Sequence, residues 1–104
     1  LSTAVNYGIN TITIVMNNKS WGAEKAYQKD FFSKRYIGSD ISSPPFDKVA
    51  QLYGAEGFKV ERSSEISEAV EAALKCNKPA VIDIAIDPKA LYSFRRDSFK
   101  HREK

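Results

Sequence analysis

Apolar positions recur along the chain in two rhythms, and each predicts its own kind of element. Leu1, Ala4 and Val5 stand at i, i+3, i+4 and give way to Gly8, the pattern of a helix reaching its stop. That helix opens in mid-pattern with no capping residue before it, so further sequence is expected upstream. Residues 11–16 (TITIVM) are short and rich in β-branched side chains, which predicts a strand. Its even positions, Ile12, Ile14 and Met16, are expected to face one way, with Val15 adding apolar surface on the other. The strand ends abruptly in the polar run Asn17, Asn18, Lys19, Ser20.

Further on, Phe46, Val49, Ala50 and Tyr53 fall at i, i+3, i+4, i+7, with Gly54 as the stop. Residues 58–61 alternate like a short strand. Ser64 is expected to cap the next helix, with Glu65 in its first turn. The apolar stripe of that helix is Ile66, Ala69, Val70, Ala73 and Leu74, and Asn77 and Pro79 end it. Residues 80–86 (AVIDIAI) are almost continuously apolar, as in a parallel strand covered on both faces. Asp83 inside that run needs a partner or an edge position. Strands alternating with helices predict an α/β fold: a parallel sheet with flanking helices and right-handed crossovers.

Residues 21–43 are less regular. Residues 21–29 can form a short helix. Phe31, Phe32, Tyr36 and Ile37 are too apolar for a fully solvated loop, and cover either this domain's own core or a partner surface.

Composition narrows the possibilities. The 104 residues amount to one domain at most, read as an α/β body over 1–87 and a basic tail over 88–104. The longest strongly apolar runs fall far short of a membrane span, and no signal peptide is visible. With one cysteine, Cys76, there is no intrachain disulfide framework, in keeping with a reduced cytoplasmic chain. One histidine, His101 in the tail, excludes a zinc site built of several Cys and His within the chain and leaves little for a catalytic triad. The net charge is +3, but residues 88–104 hold six Lys/Arg against two acids, while residues 1–87 hold ten against eleven. The basic excess belongs to the tail, which disfavours a nucleic-acid face on the body of the fold.

The chemistry concentrates in residues 17–25, NNKSWGAEK. Asn18 offers a neutral amide oxygen suited to a hard cation such as Mg²⁺. Gly22 and Ala23 open a helix whose free N–H groups make an anion site. A metal ligand beside such a helix start suits a metal-bound diphosphate, although two asparagines after a strand are also an ordinary turn.

Residues 3–25, TAVNYGINTITIVMNNKSWGAEK, resemble the second half of the cofactor-binding motif of thiamine-diphosphate-dependent enzymes, which begins with Gly-Asp-Gly and closes with Asn-Asn at a strand end. The first half is expected upstream. Essentially the whole chain is similar to the C-terminal part of the diphosphate-binding domain of the acetolactate-synthase-like members. WGAEK (21–25), QKDFF (28–32) and FRRDSFK (94–100) add a resemblance to the acyl-transferring branch, which splits sulfoacetaldehyde with phosphate into acetyl phosphate and sulfite.

The resemblance implies thiamine diphosphate and Mg²⁺ as cofactors. Asn18 and the Ser20 backbone carbonyl would be metal ligands. Gly22 and Ala23 would offer N–H groups to the diphosphate, and Asn17 would shape the turn or make a secondary contact. Glu24 matches an acidic position near the reacting centre of some relatives, and either moves a proton or is a solvated first-turn residue. Trp21 either lines the substrate pocket or packs on the sheet. Arg95 and Arg96 either bind a phosphate or sulfonate anion or lie in a solvated or intersubunit tail. A small-molecule substrate, phosphate and a homo-oligomeric whole protein are implied; nucleic acid and membrane are not. The family's activating glutamate has no match here, so this segment alone is expected to be inactive. The competing readings are an acetolactate-synthase-like carboligase or decarboxylase of the same superfamily, a non-catalytic α/β interaction module using residues 31–37, and a nucleic-acid binder using the tail.

Overall fold

The computed structural model describes residues 1–93. Phe94, Arg95, Arg96, Phe99 and His101 therefore lie outside the described residues. The described residues form two compact units: Leu1–Asn17 with Ser43–Ile86, and Asn18–Ser42 with residues 87–93.

In the first unit, α1 (Ser2–Tyr7) is closed by Gly8 in the left-handed conformation, as its spacing predicts. β1 (Ile12–Asn17), β2 (Glu56–Val60) and β3 (Ala80–Ala85) form a parallel sheet in the order β1-β3-β2. Among the described residues, the last strand in sequence is thus the central one. Ile12 pairs with Ala80 and Asn17 with Ala85 on one side, and Glu56 with Ala80 and Val60 with Ile84 on the other.

The almost continuous apolar run of β3 follows from that position. Ala80, Ile82 and Ile84 pack with Val60 and with Ala69 and Ala73 of α4 (Ile66–Lys75). Val81 points the opposite way, to Ala55 and to Ala50 of α3 (Phe46–Leu52). Alternation puts Asp83 on the α3 face with Val81. α3 and β2 approach backbone to backbone: a Cβ on Gly57 would stand 2.0 Å from the Asp47 carbonyl oxygen.

Three expectations are corrected. The even face of β1 is not buried as a set, because Ile14 is 48% and Met16 62% exposed. β1 is an edge strand, and the packing reaches only Ile12 on one face and Val15 on the other. Ser64 does not cap α4. It lies inside a single 3₁₀ turn (Ser63–Glu65) that runs into the helix, so Glu65 occupies the cap position without a side-chain bond. Leu74 is exposed, because α4 meets the sheet through the small side chains of Ala69 and Ala73. β2 also starts at Glu56, ahead of the alternating residues that predict it.

The second unit is built on α2 (Gly22–Phe31), whose Ala26 is fully buried. Residues 32–42 return along it. Gln28 fixes that return by donating from Nε2 to the Ile37 carbonyl at 2.9 Å and accepting the Ile37 N–H at Oε1. Lys29 Nζ donates to the Leu91 carbonyl. Phe31, Phe32, Tyr36 and Ile37 remain exposed and are not core residues.

Candidate functional site

Asp83 is 5% exposed on the central strand and is satisfied by two donors. Asn17 Nδ2, at the end of β1, donates to Oδ1 at 3.1 Å. The Phe46 backbone N–H donates to Oδ2 at 3.0 Å. Phe46 opens α3, whose cap residue Pro45 has no side-chain acceptor, so Asp83 serves as a distant acceptor for a helix N-terminus. The partner that a charge in this run demands is thus the first of the two asparagines.

The second asparagine makes a turn of its own. Asn18 Oδ1 accepts the Ser20 N–H at 3.1 Å, an Asx turn, with Lys19 held in the left-handed region at φ 55°. Ser20 then faces Asp40 across an isolated antiparallel bridge. The bonds of that bridge come from its neighbours: Trp21 N–H to the Ser39 carbonyl at 2.7 Å, and Ile41 N–H to the Lys19 carbonyl at 3.1 Å. In such a pair the facing residues themselves stay outside the ladder, which leaves the Ser20 carbonyl out of it.

Trp21 is the N-cap of α2, and Lys25 N–H to the Trp21 carbonyl is the first bond of the helix. The N–H groups of Gly22, Ala23 and Glu24 have no acceptor within the helix. Gly22 is required here for space. A Cβ would stand 2.8 Å from Asn18 Nδ2, so the carboxamide lies against bare backbone at the helix start.

These residues fit a cation carrying an anionic group. The Asn18 amide oxygen has a second lone pair beyond its bond to Ser20, and the Ser20 carbonyl is a neutral hard oxygen close by in the chain. The hydroxyls of Ser20 and Ser39 are buried with no hydrogen-bond partner, the mark of a polar recess. Among the described residues no cluster of three His, Cys, Asp or Glu could hold a metal. A cation at this place would lean on amide and carbonyl oxygens and on the ligand it carries.

Of the other predicted residues, Glu24 is exposed in the first turn of α2, and Trp21 is 57% exposed rather than packed. Two contacts escape sequence reading. One is the Asn17–Asp83 bond, hinted at only by the charge inside an apolar strand. The other is the ion pair of Lys25 with Asp40, for which no spacing rule gives a signal.

A parallel strand that ends in a polar turn and hands the chain to an open helix N-terminus is how α/β domains take phosphate-bearing ligands. Comparison with known families makes the class definite. Residues 1–84 match the family described as thiamine pyrophosphate enzyme, C-terminal TPP-binding domain, and the chain belongs to that family. Sulfoacetaldehyde acetyltransferase of Alcaligenes xylosoxydans xylosoxydans is 33% identical over 102 residues, covering 94% of this chain and 17% of its own. A probable acetolactate synthase large subunit of Methanococcus aeolicus is 32% identical over 94 residues, covering 89% of this chain and 16% of its own. Among solved structures, the thiamine diphosphate-dependent 4-hydroxybenzoylformate decarboxylase of Rhodococcus jostii RHA1 superposes with a TM-score of 0.75 at 26% identity. That match covers 83% of this chain and 16% of the decarboxylase. The chain spans about one sixth of the length of the curated relatives it matches.

Proposed function

We propose that this chain supplies the Mg²⁺ and diphosphate contacts of a thiamine-diphosphate-dependent enzyme that transfers an acetyl group from sulfoacetaldehyde to phosphate. The observation that carries the cofactor part is the cradle of Asn18, Ser20 and Gly22 at the end of β1, with a helix start beside it. The substrate part rests on the similarity to sulfoacetaldehyde acetyltransferase, which extends over more of the chain than the similarity to the acetolactate synthase. Arg95 and Arg96 are suited by charge to phosphate or sulfonate. The whole protein is read as a cytoplasmic homo-oligomer. No helix among the described residues is long and apolar enough to cross a membrane.

In this mechanism the chain binds and orients. Asn18 Oδ1 and the Ser20 carbonyl would hold the cation, and the N–H groups of Gly22 and Ala23 would receive diphosphate oxygens. Asn17, fixed by Asp83, would set where the turn begins. Bound thiamine diphosphate supplies the electron sink for cleaving the bond next to the carbonyl. Glu24, exposed at the helix start, would exchange a proton with substrate. Trp21 would wall the pocket.

The second reading, an acetolactate-synthase-like carboligase, is favoured by the similarity to the Methanococcus aeolicus protein. The intact protein with thiamine diphosphate and Mg²⁺ separates the two. Sulfite and acetyl phosphate from sulfoacetaldehyde and phosphate support the first reading. Acetolactate from pyruvate establishes the second. Neither product, from protein that has bound the cofactor, overturns both.

A further inference from the structure

We propose that Lys25 and Asp40 are positioning residues that set the Ser20 carbonyl for cation binding, an inference that rests on the cofactor reading above. Ser20 is held in place by one isolated bridge, made of two backbone bonds from its neighbours. A two-bond ribbon is weak alone, and the strand that completes it, residues 39–41, follows a return segment with Ser33, Lys34 and Gly38 all at positive φ. Something must fix the register of that strand against residues 19–21.

The side chain of Lys25 does so from the first turns of α2. Its ammonium bonds the Asp40 carboxylate and sits 5.1 Å from the centre of the Tyr36 ring. The Lys25 side chain is 16% exposed, so its charge is largely withdrawn from water and held in one geometry. Asp40 is the residue facing Ser20. Gln28, one turn further on the same helix face, grips Ile37 of the same return segment. The helix whose start would receive the diphosphate therefore also aligns the strand that aligns the metal-ligand carbonyl. Loss of the Lys25–Asp40 pair should leave the fold intact, let residues 39–41 drift, and loosen Ser20.

The test uses the intact protein, purified free of cofactor and titrated with Mn²⁺ at saturating thiamine diphosphate, unbound Mn²⁺ being read from its electron paramagnetic resonance signal. Because the Asp40 side chain is 73% exposed, its replacement should spare folding, which circular dichroism and the thermal midpoint check. Asp40→Asn is expected to weaken Mn²⁺ binding about tenfold, and Asp40→Glu to restore it to within about twofold. Lys25→Met should match Asp40→Asn, and the two combined should lose no more than either alone. Folded Asp40→Asn protein with unchanged Mn²⁺ affinity, while Asn18→Ala abolishes binding, overturns the positioning role and leaves the cofactor reading standing. Equal losses in Asp40→Asn and Asp40→Glu also overturn it. Wild-type protein that binds no Mn²⁺ in the presence of thiamine diphosphate overturns both.

Discussion

A carboxylate in the middle strand of a sheet has to be compensated on the spot, and Asp83 draws its two donors from distant parts of the chain. Asp83→Ala should destabilise the protein by about 2–3 kcal/mol, since it strands the Phe46 N–H and frees the Asn17 amide together. Urea unfolding measures that loss. Two glycines make a sharper contrast. At Gly57 an added methyl meets the Asp47 backbone oxygen, which cannot yield, so Gly57→Ala should unfold the domain or cost at least about 3 kcal/mol in the same assay. At Gly22 the obstacle is the end of the Asn18 side chain, which can swing away. Gly22→Ala should therefore leave the thermal midpoint nearly unchanged while weakening Mn²⁺ binding in the presence of thiamine diphosphate about tenfold. At this scale the sequence announces the demand and withholds the answer. Asp83 reads as a charge in need of a partner, but Asn17 and Phe46 are too remote for any local rule to name them. Asn18 and Gly22 are legible because their roles lie within a few residues of each other. Lys25 and Asp40 are not, because neither follows a periodicity.

Elements were readable where one packing partner decides them. β3 follows its pattern because it is covered on both faces, and α3 follows its own through Phe46 and Ala50, although the last residue of its predicted stripe, Tyr53, lies past the helix and is exposed. The pattern of β1 misleads, since an apolar side chain every second residue does not say which of them will be covered. Ile14 and Met16 line the half of the strand that α4 does not reach. The start of α4 misleads for another reason. Serine is a good cap only where the backbone is still extended, and here it is already turning. The exposed edge has its own consequence. The isolated 104-residue chain should self-associate through β1, and Met16→Lys or Ile14→Lys should shift it toward monomer in light scattering. Unchanged association in both variants would assign the contact elsewhere, with the exposed Phe32 and Ile37 next to be replaced.

On the scale of the whole molecule, the described residues hold the proposed cation and phosphate cradle and, in Glu24, one exposed candidate for proton transfer. The activating glutamate that the resemblance implies matches no position of the sequence, and the segment spans about one sixth of its curated relatives. The purified 104-residue chain is therefore expected to show no turnover of sulfoacetaldehyde or pyruvate with thiamine diphosphate and Mg²⁺ present, and detectable sulfite or acetolactate would refute this. The order of the strands imposes a timetable as well. In a sheet arranged β1-β3-β2, the strand that joins the other two is made after both of them. The Ile12–Ala80 pairing waits until Ala80 has left the exit tunnel, and the Asn17–Asp83 bond waits for Asp83. Until then the nascent chain carries its apolar β1 without β3 beside it, which makes this stretch a natural client for chaperones that bind extended apolar segments.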